Sequence, residues 1–373
     1  MAAPPPISGG GVPLVQASSA PDGSTGSTLN AVARVVVPNP HAQFAVVLIH
    51  GLNSSPETWA GQTEASWAQS LPTLVHQYAP GLQVEVISIG WQTTPTNSAN
   101  TSTSIRSAVA PILKAIFGKV KNRSWIAVGH SMGGLIIRGA LGTAFRETNT
   151  TGGNPITSDP RVLASWRQLL TSCRGILLLA SPSDGSPLGA AGAAAGHVIP
   201  GANPAQMSGL RISSRETSEI TSDSNMWFVN RQGQRTPLNV FAAQETQGIG
   251  TVGPRASFPI AVVDFPSSQL PSISIPHVNY KDVQLPGETH TSAPKVPATS
   301  ANGKVLVGGV IFCITGRFPQ EIPATPGRTR PGVAGTIASA AHTVVHPSAN
   351  TLRQMLPGQQ GPQQPGAGGS GDA

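Results

Sequence analysis

Charge is scarce in this chain: only 10% of its 373 residues are Asp, Glu, Lys or Arg. A typical soluble domain carries roughly 25%. Highly charged disordered proteins and coiled coils are therefore excluded. Cysteine is scarcer still, at two residues, Cys173 and Cys313. Two thiols build no disulfide framework, and neither lies in a Cys-x-x-Cys or Cys/His cluster. Both read as small buried hydrophobes, Cys173 before an apolar strand-like run and Cys313 inside one. No 18-residue apolar run occurs; the longest candidate, residues 305–314, contains two glycines, so no transmembrane helix is expected. The start, MAAPPPISGGGVPLVQ, has no basic segment and its prolines and glycines interrupt any apolar one. A secretory signal is not expected, which favours a cytoplasmic location. No HExxH, Cys/His spacing, P-loop or dinucleotide fingerprint appears, so no metal or cofactor is expected.

What is plentiful is glycine (42) and proline (35), concentrated at the two ends and in one central stretch. Residues 1–30 read as a flexible Pro/Gly/Ser-rich leader, and residues 317–373 as a largely disordered Pro/Gly/Gln-rich tail. Hydrophobic residues make up 39% of the chain, enough for a sizeable core over the intervening 31–316. The net charge is +7, but the basic residues are scattered and no nucleic-acid-binding signature is present. No nucleic-acid partner is expected. Peripheral contact with an anionic membrane is compatible with the surplus charge.

Between the ends, the hydrophobic period alternates. Strands are expected at 31–37, 44–49, 82–89, 125–128, 176–180 and 238–243, with shorter extended pieces at 260–263, 273–275 and 283–285. Helical spacing covers 63–78, 103–120 and 131–145. Continuous apolar runs such as FAVVLI suit strands buried on both faces. Strands alternating with helices predict an α/β fold with a mostly parallel central sheet and helices on both of its faces.

The chemistry concentrates in WIAVGHSMGGLIIR, residues 125–138. Gly129-His130-Ser131-Met132-Gly133 is a G-x-S-x-G sequence, with an apolar strand before it and an amphipathic helix after it. A serine hydroxyl is a poor nucleophile and must be exposed and aimed at a base. A sharp strand-to-helix turn flanked by small residues does this. The helix that follows aims its free N–H groups at developing negative charge. Ser131 is the expected nucleophile. VVLIHGLN, residues 46–53, ends another buried strand where such folds carry an oxyanion loop. The backbone N–H of Leu52 or Asn53 would join that of Met132 there. His50 is then a loop-ordering residue.

The base must follow the nucleophile, since the order on this fold is Ser, acid, His. His290, just past a short apolar run, fits best, and His277 is second; His197, His342 and His346 read as incidental. For the acid, Glu245 closes the run NVFAAQE, Asp264 follows IAVV, and Asp184 follows ILLLASPS. All three stay open.

These motifs resemble those of the lipase-like serine esterases of the α/β-hydrolase superfamily, in particular the serine-active-site-containing esterases and the GPI inositol-deacylase-like lipases. The likeness runs from residue 44 to about 295: VVLIHGLNSSPETW, SWAQSLP, VEVISIGW, GHSMGGLIIRGAL, CRGILLLASPSDGSPLG, LRISSRETSEI, NVFAAQET, AVVDFPSS and THTSAPK. It implies Ser131 as nucleophile, His290 as base and Glu245 as acid, with Asp264 the alternative. Leu52 and Met132 would be the oxyanion donors. It implies hydrolysis of small-molecule or lipid esters without a cofactor. Two departures stand out. The family's Thr-Pro-His is Ser181-Pro182-Ser183-Asp184 here, and residues 190–205 are unusually rich in Gly and Ala. A lid is expected around 183–225.

Overall fold

The computed structural model describes residues 31–52, 54–91, 106–149, 156–183, 214–231, 237–247 and 278–326. They contain one eight-stranded sheet. Its strands are β1 (Val32–Val37), β2 (Phe44–Ile49), β3 (Val84–Gly90), β4 (Ser124–His130), β5 (Cys173–Leu179), β6 (Leu238–Glu245), β7 (Val278–Leu285) and the two-residue β8 (Thr325–Pro326). The order across the sheet is β1-β3-β2-β4-β5-β6-β7-β8. The six strands from β3 to β7 in that order run parallel. The outer β1 and β8 pair antiparallel with β3 and β7. This is the α/β architecture that the alternating periods predict.

The helices are α1 (Leu71–Tyr78), α2 (Val109–Val120), α3 (Met132–Asn149), α4 (Pro160–Ser172), α5 (Arg215–Val229) and α6 (Ala301–Thr315). Two apolar clusters lie on opposite sheet faces. One joins α2, α3, α4 and α5 to the side chains of Ala127, Ile176 and Val240. The other joins α1 and α6 to those of Val128, Leu177 and Phe241. The strands alternate between the clusters residue by residue, which is why β2 is apolar throughout and β5 is apolar from Ile176 to Leu179. Each such fully buried Leu, Ile or Val contributes ~1.5–3 kcal/mol relative to exposure.

Three differences from the sequence-based expectation have local causes. The helix expected over 63–78 begins only at Leu71, with Pro72 in its first turn. The preceding residues form turns, and Ser66 bridges to Pro297 instead. The run 305–314, read as strand-like around Cys313, is the core of α6. The Ser300 hydroxyl accepts from the Gly303 N–H at its start, and Gly316 ends it in a left-handed conformation, φ 76°. Its apolar residues are continuous because α6 is buried nearly all round. Helix α4 carries a start signal, with Asp159 capping the Arg161 N–H and Pro160 at the first position.

Packing also continues past residue 316. Phe318 stacks on Phe241 at 5.8 Å between centroids, and Ile322 is buried. Within the stretch expected to be a lid, residues 215–225 belong to α5, whose Ile220 and Phe228 share the apolar cluster of α3. Residues 184–213 and the expected pieces at 260–263 and 273–275 lie outside the described residues, as do the leader 1–30 and the tail from 327. No described helix is long and apolar enough to cross a membrane.

Candidate active site

The parallel strands end at one edge of the sheet, and three of the expected residues meet there. β4 ends at His130, and the chain turns at Ser131 into α3. Ser131 has φ 55°, in the left-handed region that non-glycine residues rarely enter. The strained turn is held by two backbone bonds: Ser131 N–H donates to Leu179 O, and Gly134 N–H donates to Ser131 O, both at 3.0 Å. Side chains larger than glycine have no room around it. A Cβ on Gly133 would stand 2.2 Å from the Ile49 carbonyl oxygen, and one on Gly51 would stand 2.6 Å from the Ser131 Cβ. The β2 loop thus presses directly on the serine, as the pairing of HG with G-x-S-x-G implies.

His290 lies on the loop after β7. Its Nε2 is 2.8 Å from Ser131 Oγ, and its Nδ1 is 3.0 Å from Glu245 Oε1. Glu245 is the last residue of β6, and its side chain is only 2% exposed beside His290 at 10%. The three side chains form one hydrogen-bonded chain of hydroxyl, imidazole and carboxylate. A carboxylate can only accept, so Nδ1 carries the hydrogen and Nε2 faces the serine hydroxyl as an acceptor. The loop itself is stiffened by Glu288, whose carboxylate accepts from Ser292 Oγ and from Asn302 Nδ2 on α6.

Met132 is the first residue of α3 and fully buried, and Leu52 is half-buried on the loop after β2. Both flank Ser131. Asn53, Asp264, Asp184, His277, His197, His342 and His346 lie outside the described residues. Among the described residues no group of three or more His, Cys, Asp or Glu side chains is placed to hold a metal ion.

The histidines at the ends of β2 and β4 have partners that the motifs do not reveal. His50 Nδ1 donates to Gly51 O at 3.0 Å, and Nε2 accepts from the Trp91 N–H at 3.3 Å. The Trp91 indole N–H in turn donates to His50 O, and the two rings stack at 5.8 Å. Burial pushes the His50 imidazole down to about 4. His130 Nε2 lies 2.9 Å from the carbonyl oxygen of His290. Burial, then the neighbouring His290, hold His130 well below the usual histidine range. Both cysteines are buried and free, and burial raises the Cys173 thiol to about 12. Behind the elbow, the buried Arg138 of α3 donates to Ser183 O and to Thr221 Oγ1 and Ser224 Oγ of α5. The aliphatic-looking stretch LIIR gives no hint of this buried cation.

Residues 45–151 match the family model described as palmitoyl protein thioesterase. The matched segment holds β2, the HGL loop and the serine elbow. No curated protein matches the chain. Among solved structures, the phospholipase PlaB from Legionella pneumophila in complex with thio-NAD is 12% identical, with a TM-score of 0.49, covering 75% of this chain and 61% of that one. The chain therefore spans less than two thirds of that phospholipase. The mature form of the Bacillus licheniformis lipase BlEst2 is 15% identical, with a TM-score of 0.42, covering 71% of this chain and 92% of that one. The esterase RhEst1 from a Rhodococcus species is 14% identical, with a TM-score of 0.41, covering 77% and 98%.

Proposed function

We propose that this α/β-hydrolase cleaves carboxylic, lipid-like esters through an acyl-enzyme formed on Ser131. The reading is carried by the chain of two hydrogen bonds from Ser131 Oγ through His290 to Glu245, 2.8 and 3.0 Å long. Nothing else about a serine hydroxyl makes it nucleophilic at neutral pH.

In the proposed cycle, Ser131 Oγ attacks the ester carbonyl carbon while its proton passes to His290 Nε2. The Nδ1–H remains on the imidazolium, donating to Glu245, which stabilises the charge and fixes the ring. The carbonyl oxygen becomes an oxyanion held by the N–H groups of Leu52 and Met132, the second reinforced by the start of α3. The tetrahedral species collapses, and His290 gives its proton to the departing alcohol. Water then attacks the acyl-serine, His290 takes the water proton, and Ser131 leaves reprotonated as the carboxylic acid is released.

The match to a palmitoyl protein thioesterase model over residues 45–151 favours a second substrate class, long-chain acyl thioesters. The same cycle handles these, with a thiol as the leaving group.

The test is hydrolysis of p-nitrophenyl esters from acetate to palmitate, and of a palmitoyl thioester, by the full chain beside Ser131→Ala. Wild type is expected to turn over and to be labelled at Ser131 by a fluorophosphonate. The alanine variant should lose at least ~10⁴-fold in kcat. Absence of both turnover and label would replace this reading with an inactive lipid- or protein-binding module.

A further inference from the structure

His130 takes no proton in the cycle above, yet it lies at its centre. It closes β4, directly before Ser131, and is 5% exposed. Its ring nitrogen Nε2 reaches the backbone carbonyl of His290, 160 residues further along the chain, at 2.9 Å. A carbonyl oxygen can only accept, so Nε2 bears the hydrogen and the ring is the Nε2–H tautomer. Nδ1 is left as a bare acceptor, buried and without a hydrogen-bond partner. The His290 ring lies 5.0 Å away on one side, and Trp59 stands edge-on at 6.2 Å.

We infer that His130 is a positioning residue for the base: its Nε2–H holds the His290 backbone, so that two consecutive residues of one turn grip the base at both ends. Ser131 Oγ meets the imidazole, and His130 meets the main chain that carries it. The inference rests on the serine-hydrolase reading. The geometry makes the nucleophile and the anchor of its base a single rigid unit, because no rotatable segment separates them beyond one peptide. His290 otherwise sits on a loop, tied on its far side through Glu288 to Ser292 and Asn302. The same loop is also held by the Thr246 and Gln247 N–H groups, which donate to Glu288 O, and by the Trp67 indole N–H, which donates to Pro294 O. The His130 bond is the tie at the main chain of the base itself. A drift of ~1 Å between a base and its nucleophile costs on the order of 100-fold in rate.

The neutral state of His130 is part of the design. His290 becomes an imidazolium twice per cycle, with the His130 ring 5.0 Å from it. A second cation there would oppose that charge at short range. A neutral Nε2–H tautomer provides the donor without the charge.

The test compares His130→Leu with His130→Gln in the full-length chain. Leucine keeps bulk and removes the donor. Glutamine places an amide N–H the same number of bonds from Cα as the imidazole Nε2–H. His130→Leu is expected to lower kcat by about 10–100-fold with KM within about twofold, and to slow fluorophosphonate labelling of Ser131 in proportion. His130→Gln should recover both to within about fivefold. Labelling of His130→Leu at the wild-type rate, with wild type active, overturns the positioning role alone. Equal defects in Leu and Gln at wild-type melting temperature also overturn it, since they report shape and not donation. Wild type that neither turns over nor labels overturns the hydrolase reading and this role with it. Should the leucine variant fail to fold, ¹⁵N NMR of wild type decides: an Nε2–H tautomer at His130 supports the anchor, and an Nδ1–H tautomer sinks it.

Discussion

Strands β2 and β4 are hydrogen-bonded neighbours, with Ile49 opposite Gly129, and they end in similar words, Ile-His-Gly-Leu and Gly-His-Ser-Met. Both histidines are buried and both are pushed toward neutrality by that burial. They are nonetheless opposite tautomers with opposite reach. His50 carries its hydrogen on Nδ1 and spends both nitrogens close by, on Gly51 and Trp91. His130 carries its hydrogen on Nε2 and spends it on a loop 160 residues away. The end of β2 is thus a loop tied to its neighbouring strand β3, and the end of β4 is tied to the base. A histidine beside a small residue at a strand end looks the same in sequence in both places. Its partner, which no local pattern encodes, decides whether it orders a loop or aligns a reaction.

The largest effects are expected on the β4 side. Glu245→Gln keeps the shape of the chain but offers an amide in place of the carboxylate that holds the Nδ1–H tautomer. It should lower kcat by about 10²–10⁴-fold. Asp264→Asn should stay near wild type. Parallel kinetics of the two variants check this, and an active Glu245→Gln beside a dead Asp264→Asn would transfer the acid role to Asp264. Next comes the contact between the two strand ends. A methyl group on Gly51 would stand 2.6 Å from the Ser131 Cβ, so Gly51→Ala must push either the β2 loop or the nucleophile aside. Overpacking of this kind costs about 1–3 kcal/mol of stability. The displacement should lower kcat by about 10–100-fold. Thermal melts and kinetics on the same sample read both, and an unperturbed kcat would mean that the β2 loop yields and the elbow does not.

The fold was legible because a parallel sheet buried on both faces writes itself as apolar runs separated by helical periods. FAVVLI and ILLLA need no tertiary information to be read as strands. The serine elbow was legible for a similar reason, since its steric demands fall on residues adjacent in sequence, at Gly129 and Gly133. The apolar helix α6 was not, because a helix buried nearly all round loses the period that distinguishes it from a strand. Ser300 and Gly316, its caps, were the only local signals. Glu245 and His290 could be ranked by their positions after strands, but their meeting depends on β6 and β7 lying side by side in register, with Glu245 opposite Leu285. The grip of His130 on the His290 carbonyl, and the buried Arg138 that ties α3 to α5, are side-chain contacts across 160 and 83 or more residues. Nothing in a local window encodes them.

The smallest expected effect on turnover isolates the β2 end, whose signature is instead a dependence of stability on pH. His50 has an ordinary histidine value of 6.5 when unfolded and about 4 when folded. Its folded form needs the neutral ring, because Nε2 must accept from the Trp91 N–H. Between those two values the unfolded chain binds a proton that the folded chain refuses, so stability rises with pH across the window and is lost as pH falls through it. A shift of that size corresponds to about 3 kcal/mol when the whole window is crossed. His130, lowered in the same direction, adds loss of the same sign. Urea unfolding at pH 7 and pH 4.5 should therefore show a marked fall in wild type. In His50→Gln the fall should shrink by about 2–3 kcal/mol, while kcat at pH 7 changes less than in His130→Leu. An unchanged difference between the two pH values would mean that His50 is protonated in the folded state, which is incompatible with its bond from the Trp91 amide. A kcat loss equal to that of His130→Leu would erase the distinction between a loop-ordering and a base-aligning histidine.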